Sequence, residues 1–159
     1  WKIKTYLPEN YKIISVKFPE FNMRPIGLAE DDFFTAPLFG GLLVKNPYEN
    51  VKPETQGENP GGYTMQFFTL YDSVTRRGIY FGTHDGTGFR KDYRTVGRNG
   101  VLEWEPVHYF PIPTPPEFEL PYPVVLAPLE GDWFTGARIY RAWAKTQTMT
   151  ERGPWASLI

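Results

Sequence analysis

Hydrophobic and polar positions along this chain change period once, late, and almost everything before the change reads as strand. Over residues 11–18, Ile14, Val16 and Phe18 alternate with Ser15 and Lys17, the period-2 pattern of a strand with one wet face. Residues 63–71 and 78–83 form the clearest pair, joined by a polar connection of hairpin length over 72–77. In the first of these, Met65, Phe67 and Tyr71 point one way and Phe68 and Leu70 the other. Bulky groups on both faces predict a central hairpin covered on both sides. Residues 90–96 and 101–108 flank Arg98-Asn99-Gly100, and Asn-Gly between such runs is a strong hairpin signal because both turn positions need positive φ. Residues 122–127 read as a last strand. From Asp132, a good N-cap, the period becomes helical: Trp133, Ala137, Tyr140 and Ala144 share one face, with Arg138, Arg141 and Lys145 elsewhere. The pattern predicts one helix over 132–147, ending before Gly153-Pro154.

The stretch 19–62 carries prolines at 19, 25, 37, 47, 53 and 60, an acidic run Glu30-Asp31-Asp32, a short apolar strand within 38–44, and a polar loop over 45–62. Residues 106–123 are rich in proline and read as an irregular crossing. The fold class that results is mainly β: an antiparallel β-sandwich with one C-terminal α-helix.

Composition narrows the function. A chain of 159 residues suits one domain, and 41% hydrophobic residues suffice for a core. Sixteen prolines and 17% aromatics fit strands with long ordered loops. Seventeen basic against eighteen acidic residues argue against a nucleic-acid partner. No stretch approaches the ~20 apolar residues of a membrane span, so no membrane partner is expected and the chain reads as soluble, its compartment open. Cysteine is absent, which removes disulfides and thiol chemistry, and two histidines cannot make a three-histidine zinc site. No GxSxG, GxxxxGK[ST] or GxGxxG occurs. No cofactor and no metal is expected.

Four constellations remain. Glu103 and Glu105 share one face of a strand, ~7 Å apart at ~3.4 Å per residue, near the ~6.5–9.5 Å carboxyl separation of inverting glycosidases. Alternation with Leu102 and Trp104 explains the pair without catalysis. Glu30-Asp31-Asp32 offers oxygen ligands for calcium but lacks EF-hand spacing, and reads as a solvated loop. Arg76, Arg77, Arg90, Lys91, Arg94 and Arg98 interleave with Asp72, Asp85 and Asp92, as a mixed surface does. The most distinctive segment is 82–88, where a strand runs into a glycine-rich turn with His84 and Asp85 at its rim. Rigid strands present functional residues at such ends, and His84 and Asp85 are the candidate carbohydrate-binding residues, through hydrogen bonds to ligand hydroxyls. The plainer alternative is an Asx-type turn in which Asp85 caps backbone amides. Tyr48, Tyr109 and Trp155 are candidate sugar-stacking aromatics. No catalytic residue is assigned.

Two stretches resemble a known family. The run from Met65 to Asp72, followed by that from Arg77 to Asp85, is similar to the hairpin of a β-sandwich domain in bacterial glycoside-hydrolase-like proteins. The run from Leu129 to Ala144, with its GDW and YRAWA segments, resembles the helix that leads from that sandwich into a (β/α)8 catalytic barrel. The resemblance covers about residues 60–159. It implies a supersandwich-like β-sandwich over 1–130, part of a larger one, and over 131–159 a helix that begins the linker to a catalytic domain. Barrel enzymes carry their catalytic carboxylates at the C-terminal ends of barrel strands. The resemblance therefore implies an inactive accessory sandwich that supports the barrel and borders its carbohydrate cleft through the 82–88 loop. Trp1, without the features of a signal peptide, and the apolar finish Ala156-Ser157-Leu158-Ile159 fit the expectation of a piece cut from a longer protein. Two alternatives stay open: a stand-alone carbohydrate-binding module, and a structural or assembly domain that self-associates through the C-terminal helix.

Overall fold

The computed structural model describes residues 1–8, 10–52, 56–113 and 115–147. Its order is β1 (Lys2–Lys4), β2 (Ser15–Lys17), β3 (Phe21–Met23), β4 (Asp32–Ala36), β5 (Leu42–Lys45), the short helix α1 (Pro47–Asn50) and β6 (Gly57–Asn59). Then come β7 (Phe67–Asp72), β8 (Arg77–Thr83), β9 (Lys91–Arg98), β10 (Val101–Tyr109), β11 (Glu117–Glu119), β12 (Val124–Glu130) and helix α2 (Trp133–Ala144). The strands form two five-stranded antiparallel sheets. The first runs β12-β8-β7-β4-β5. The second runs β2-β10-β9-β6, with β3 also on β10, and a small sheet pairs β1 with β11. The domain is thus a mainly-β antiparallel sandwich with one C-terminal helix.

The central hairpin carries the architecture. Alternation sends Phe68, Leu70 and Phe81 inward to meet Tyr93, Leu102 and Trp104 of the second sheet. Ring centroids lie 4.7 Å apart for Phe68 and Tyr93 and 4.6 Å for Phe81 and Trp104. Phe67, Tyr71 and Tyr80 face the other way, into a second cluster with Leu129 and the underside of α2. Every residue of β7 is buried, as the two bulky faces require. Between β9 and β10, Asn99 and Gly100 take φ 53° and 72°, the turn that Asn-Gly predicts.

Helix α2 starts at Asp132, whose Oδ1 accepts from the backbone amides of Phe134 at 2.9 Å and Thr135 at 3.4 Å. Its seat on the sheet depends on Gly136, where a Cβ would come within 2.2 Å of Thr69 Cγ2. Ala137 and Tyr140 pack on the second cluster as the helical period predicts, but Trp133 is 44% exposed and leaves that stripe.

The proline-rich first third differs most from the pattern. The strand expected over 11–18 shrinks to β2, with Ile14 and Phe18 exposed. Pro19 separates β2 from β3 along the same edge of β10, where a missing N–H breaks the ladder. The strand expected in 38–44 begins at Leu42, and α1 and β6 lie within the segment read as loop. Asp32, read as part of a wet acidic run, opens β4 and is fully buried. Pro106 sits inside β10 rather than in a crossing. The residues from 148 to 159, with Trp155 and the apolar C-terminus, lie outside the described residues.

Candidate functional site

The loop from β8 to β9 separates its two candidates. Gly82 brings the backbone close enough that a Cβ there would lie 2.8 Å from the Tyr80 hydroxyl and 2.9 Å from His84 Nε2. Those two atoms hydrogen-bond at 2.8 Å. The His84 imidazole then stacks on Trp143 of α2, centroids 4.7 Å apart and planes 13° apart. Burial pushes the His84 pKa below its ordinary value, which favours the neutral ring.

Asp85 goes to the other side, to Lys91 on β9. Its carboxylate accepts from the Thr87 amide at 2.7 Å, the Thr87 hydroxyl at 2.6 Å, the Phe89 amide at 2.7 Å and Lys91 Nζ at 2.6 Å. The Asp85 and Lys91 side chains are both 0% exposed. Burial alone would raise the Asp85 pKa, but hydrogen bonds and charge from Lys91 and Thr87 outweigh it and hold the carboxyl below its usual range. Burial pulls the Lys91 ammonium downward against the pull of Asp85. Lys91 Nζ also donates to the Phe89 carbonyl at 2.6 Å and stands 4.6 Å from the Tyr122 ring centroid. The capped-turn geometry of Asp85 is therefore present, and His84 and Asp85 do not converge on a common point.

Behind this pair lies a titratable group the sequence pattern did not single out. His108 is fully buried, within 2.6 Å of the Tyr122 hydroxyl through Nδ1 and of the Phe18 carbonyl through Nε2. A carbonyl only accepts, so Nε2 carries the proton and Nδ1 accepts from Tyr122. Burial pushes the His108 pKa down to about 4.

The other constellations separate. Asp32 Oδ2 accepts from the Ile26 amide at 2.8 Å and from the Tyr48 hydroxyl, while Asp31 belongs to a 3-10 turn, so the acidic run does not converge. Among the described residues no group of three metal-ligating side chains is found. Tyr48 is core, Tyr109 is half-buried with its hydroxyl donating to Asp92 Oδ2 at 2.6 Å, and Trp155 lies outside the described residues. Lys91, grouped with the mixed surface, is interior. Its signal was the inward register it shares with Tyr93 and Thr95. Glu103 and Glu105 do share the outer face of β10, opposite buried Leu102 and Trp104, and Glu105 pairs with Lys17 at 2.7 Å. Among the described residues no helix is long and apolar enough to cross a membrane.

Compared with protein-family models, with curated proteins and with solved structures, the chain finds no match.

Proposed function

We propose that this chain is a non-catalytic accessory β-sandwich of a glycoside hydrolase, which holds α2 in a fixed orientation as the lead-in to a (β/α)8 barrel. The observation that carries the reading is the attachment of α2 along its whole length. Arg76 pairs with the N-cap Asp132 at 2.9 Å, Gly136 abuts Thr69, Tyr140 stacks on Phe67 at 5.4 Å, and Trp143 stacks on His84. A helix held at four successive points transmits a fixed angle to whatever follows it. Trp133 and Phe134 stay exposed, 44% and 57%, an aromatic surface of the kind that marks contact with another body. The 82–88 loop abuts the end of this helix, Gly86 lying against Gln147, and in this reading the loop borders the carbohydrate cleft. His84 and Asp85 then shape that border, His84 through the helix and Asp85 through the turn.

The reading is tested on the full-length gene product, assayed on glycosides, with His84→Ala and Trp143→Ala combined. Loosening the end of α2 is expected to lower kcat/KM by at least about tenfold, because small misplacements remote from the chemistry are costly, while the sandwich, less stable for the loss of the Tyr80 partner, stays folded at the assay temperature. Unchanged hydrolysis with the helix contact removed contradicts the reading, as does glycoside turnover by residues 1–159 alone.

A further inference from the structure

The outer face of the second sheet carries no covering layer among the described residues, and charged and amide side chains dominate it, with Val96 between them. Two hollows adjoin there. One, of about 250 Å³, is lined by Glu58, Arg90 and Asp92, and the other, of about 280 Å³, by Arg98, Glu103 and Glu105. Gln56 and Arg94 belong to both. The register brings these groups into rows across the strands: Glu58 lies opposite Asp92, and Arg94 opposite Glu105. Gln56, one residue before the Gly57–Tyr93 pair, extends the row of Arg94 and Glu105 onto β6.

We propose that this face binds a neutral oligosaccharide laid across the strands. The inference rests on the carbohydrate part of the reading above but places the contact on a different face from the 82–88 loop. Charge selects the ligand. Arg90, Arg94, Arg98 and Lys17 are matched by Glu58, Asp92, Glu103 and Glu105, four cations against four anions. A polyanion or polycation would meet as much repulsion as attraction, and an apolar peptide would find little apolar surface. A sugar hydroxyl both donates and accepts, so vicinal hydroxyls suit a surface where guanidinium, amide and carboxylate groups alternate.

Lys17 takes up Glu105 at 2.7 Å and the Tyr109 hydroxyl takes up Asp92 Oδ2 at 2.6 Å, but the rest of the hydrogen-bonding capacity is open. Arg94 reaches Asp92 only at 3.9 Å, and Arg90 reaches Glu58 at 3.5 Å. Among the described residues the Arg94 and Glu103 side chains make no hydrogen bond. Arg90 also lies over the Tyr109 ring, 4.4 Å from its centroid, which holds one planar donor at the edge of the face. Strands stand about 4.8 Å apart, close to one ring of a linear glycan. A chain laid across them meets Gln56, Arg94 and Glu105 ring by ring.

The test is an NMR titration of the isotope-labelled 159-residue chain with cellohexaose, xylohexaose, mannohexaose and laminarihexaose, and with a hyaluronan hexasaccharide as the anionic probe. At least one neutral hexasaccharide is expected to shift the signals of Arg94, Val96, Glu103 and Glu105. Arg94→Ala and Glu103→Gln are each expected to weaken that binding by about tenfold or more without changing the unfolding temperature. The proposal is overturned if no neutral hexasaccharide binds, if the bound one shifts other residues instead, if hyaluronan binds in preference, or if light scattering shows a second copy of the chain occupying this face. The assay reads binding by this chain and the α2 variants read hydrolysis by the full-length product, so either reading can fail while the other stands.

Discussion

His108 shows how a single side chain ties the sandwich to pH. It must be neutral to accept from Tyr122 at Nδ1 while donating to Phe18, and burial lowers its pKa to about 4. A histidine whose folded pKa lies below its unfolded value, ~6.5, contributes stability that is complete above the unfolded value. That stability is lost as pH falls towards the folded one, because the unfolded chain takes the proton first. Urea denaturation between pH 7 and pH 4 is therefore expected to show a loss of about 3 kcal/mol, with His84, also depressed by burial, contributing in the same window. His108→Gln keeps a donor for Phe18 and is expected to flatten most of that slope, and an unchanged slope contradicts the buried neutral ring. Of the candidate site, the Asp85 turn was legible because glycines and an aspartate at a strand end have few alternatives. Lys91 was not, since a lysine becomes interior only when a specific carboxylate waits for it, here six residues away at 2.6 Å. Asp32 was misread for the same reason: its donors, Ile26 and Tyr48, come from a loop and from α1.

At the scale of elements, legibility follows strand length. The hairpins β7–β8 and β9–β10 run six to nine residues per strand, long enough for alternation to repeat and for the Asn99-Gly100 turn to fix register. β2, β3 and β6 have three residues each, less than two full periods, and their pairing is set by the long strands beside them. Helix α2 was legible from its N-cap and period, though not the exposure of Trp133. What decides its seat is Gly136. On an exposed helix Gly→Ala would gain up to ~1 kcal/mol. Here the added methyl meets Thr69 at 2.2 Å, and Gly136→Ala is expected to cost about 1–3 kcal/mol as overpacking. The loss is read by urea denaturation together with faster hydrogen exchange in α2. A neutral or stabilising result would mean that the helix is not held against β7 as described.

At the scale of the molecule, three layers follow from one hairpin: the second sheet on the inner face of β7 and β8, and α2 on the outer. The arrangement leaves two features unused by the core, the aromatic N-terminal end of α2 and the charged outer face of the second sheet. We propose a neighbouring barrel for the first and a glycan for the second. Whether the sandwich serves a barrel that follows it is decided by reading the gene beyond the codon for Ile159. An open frame that continues into alternating strand and helix patterns, with carboxylates at the strand ends, is the expected result. A stop codon directly after Ile159 would contradict it.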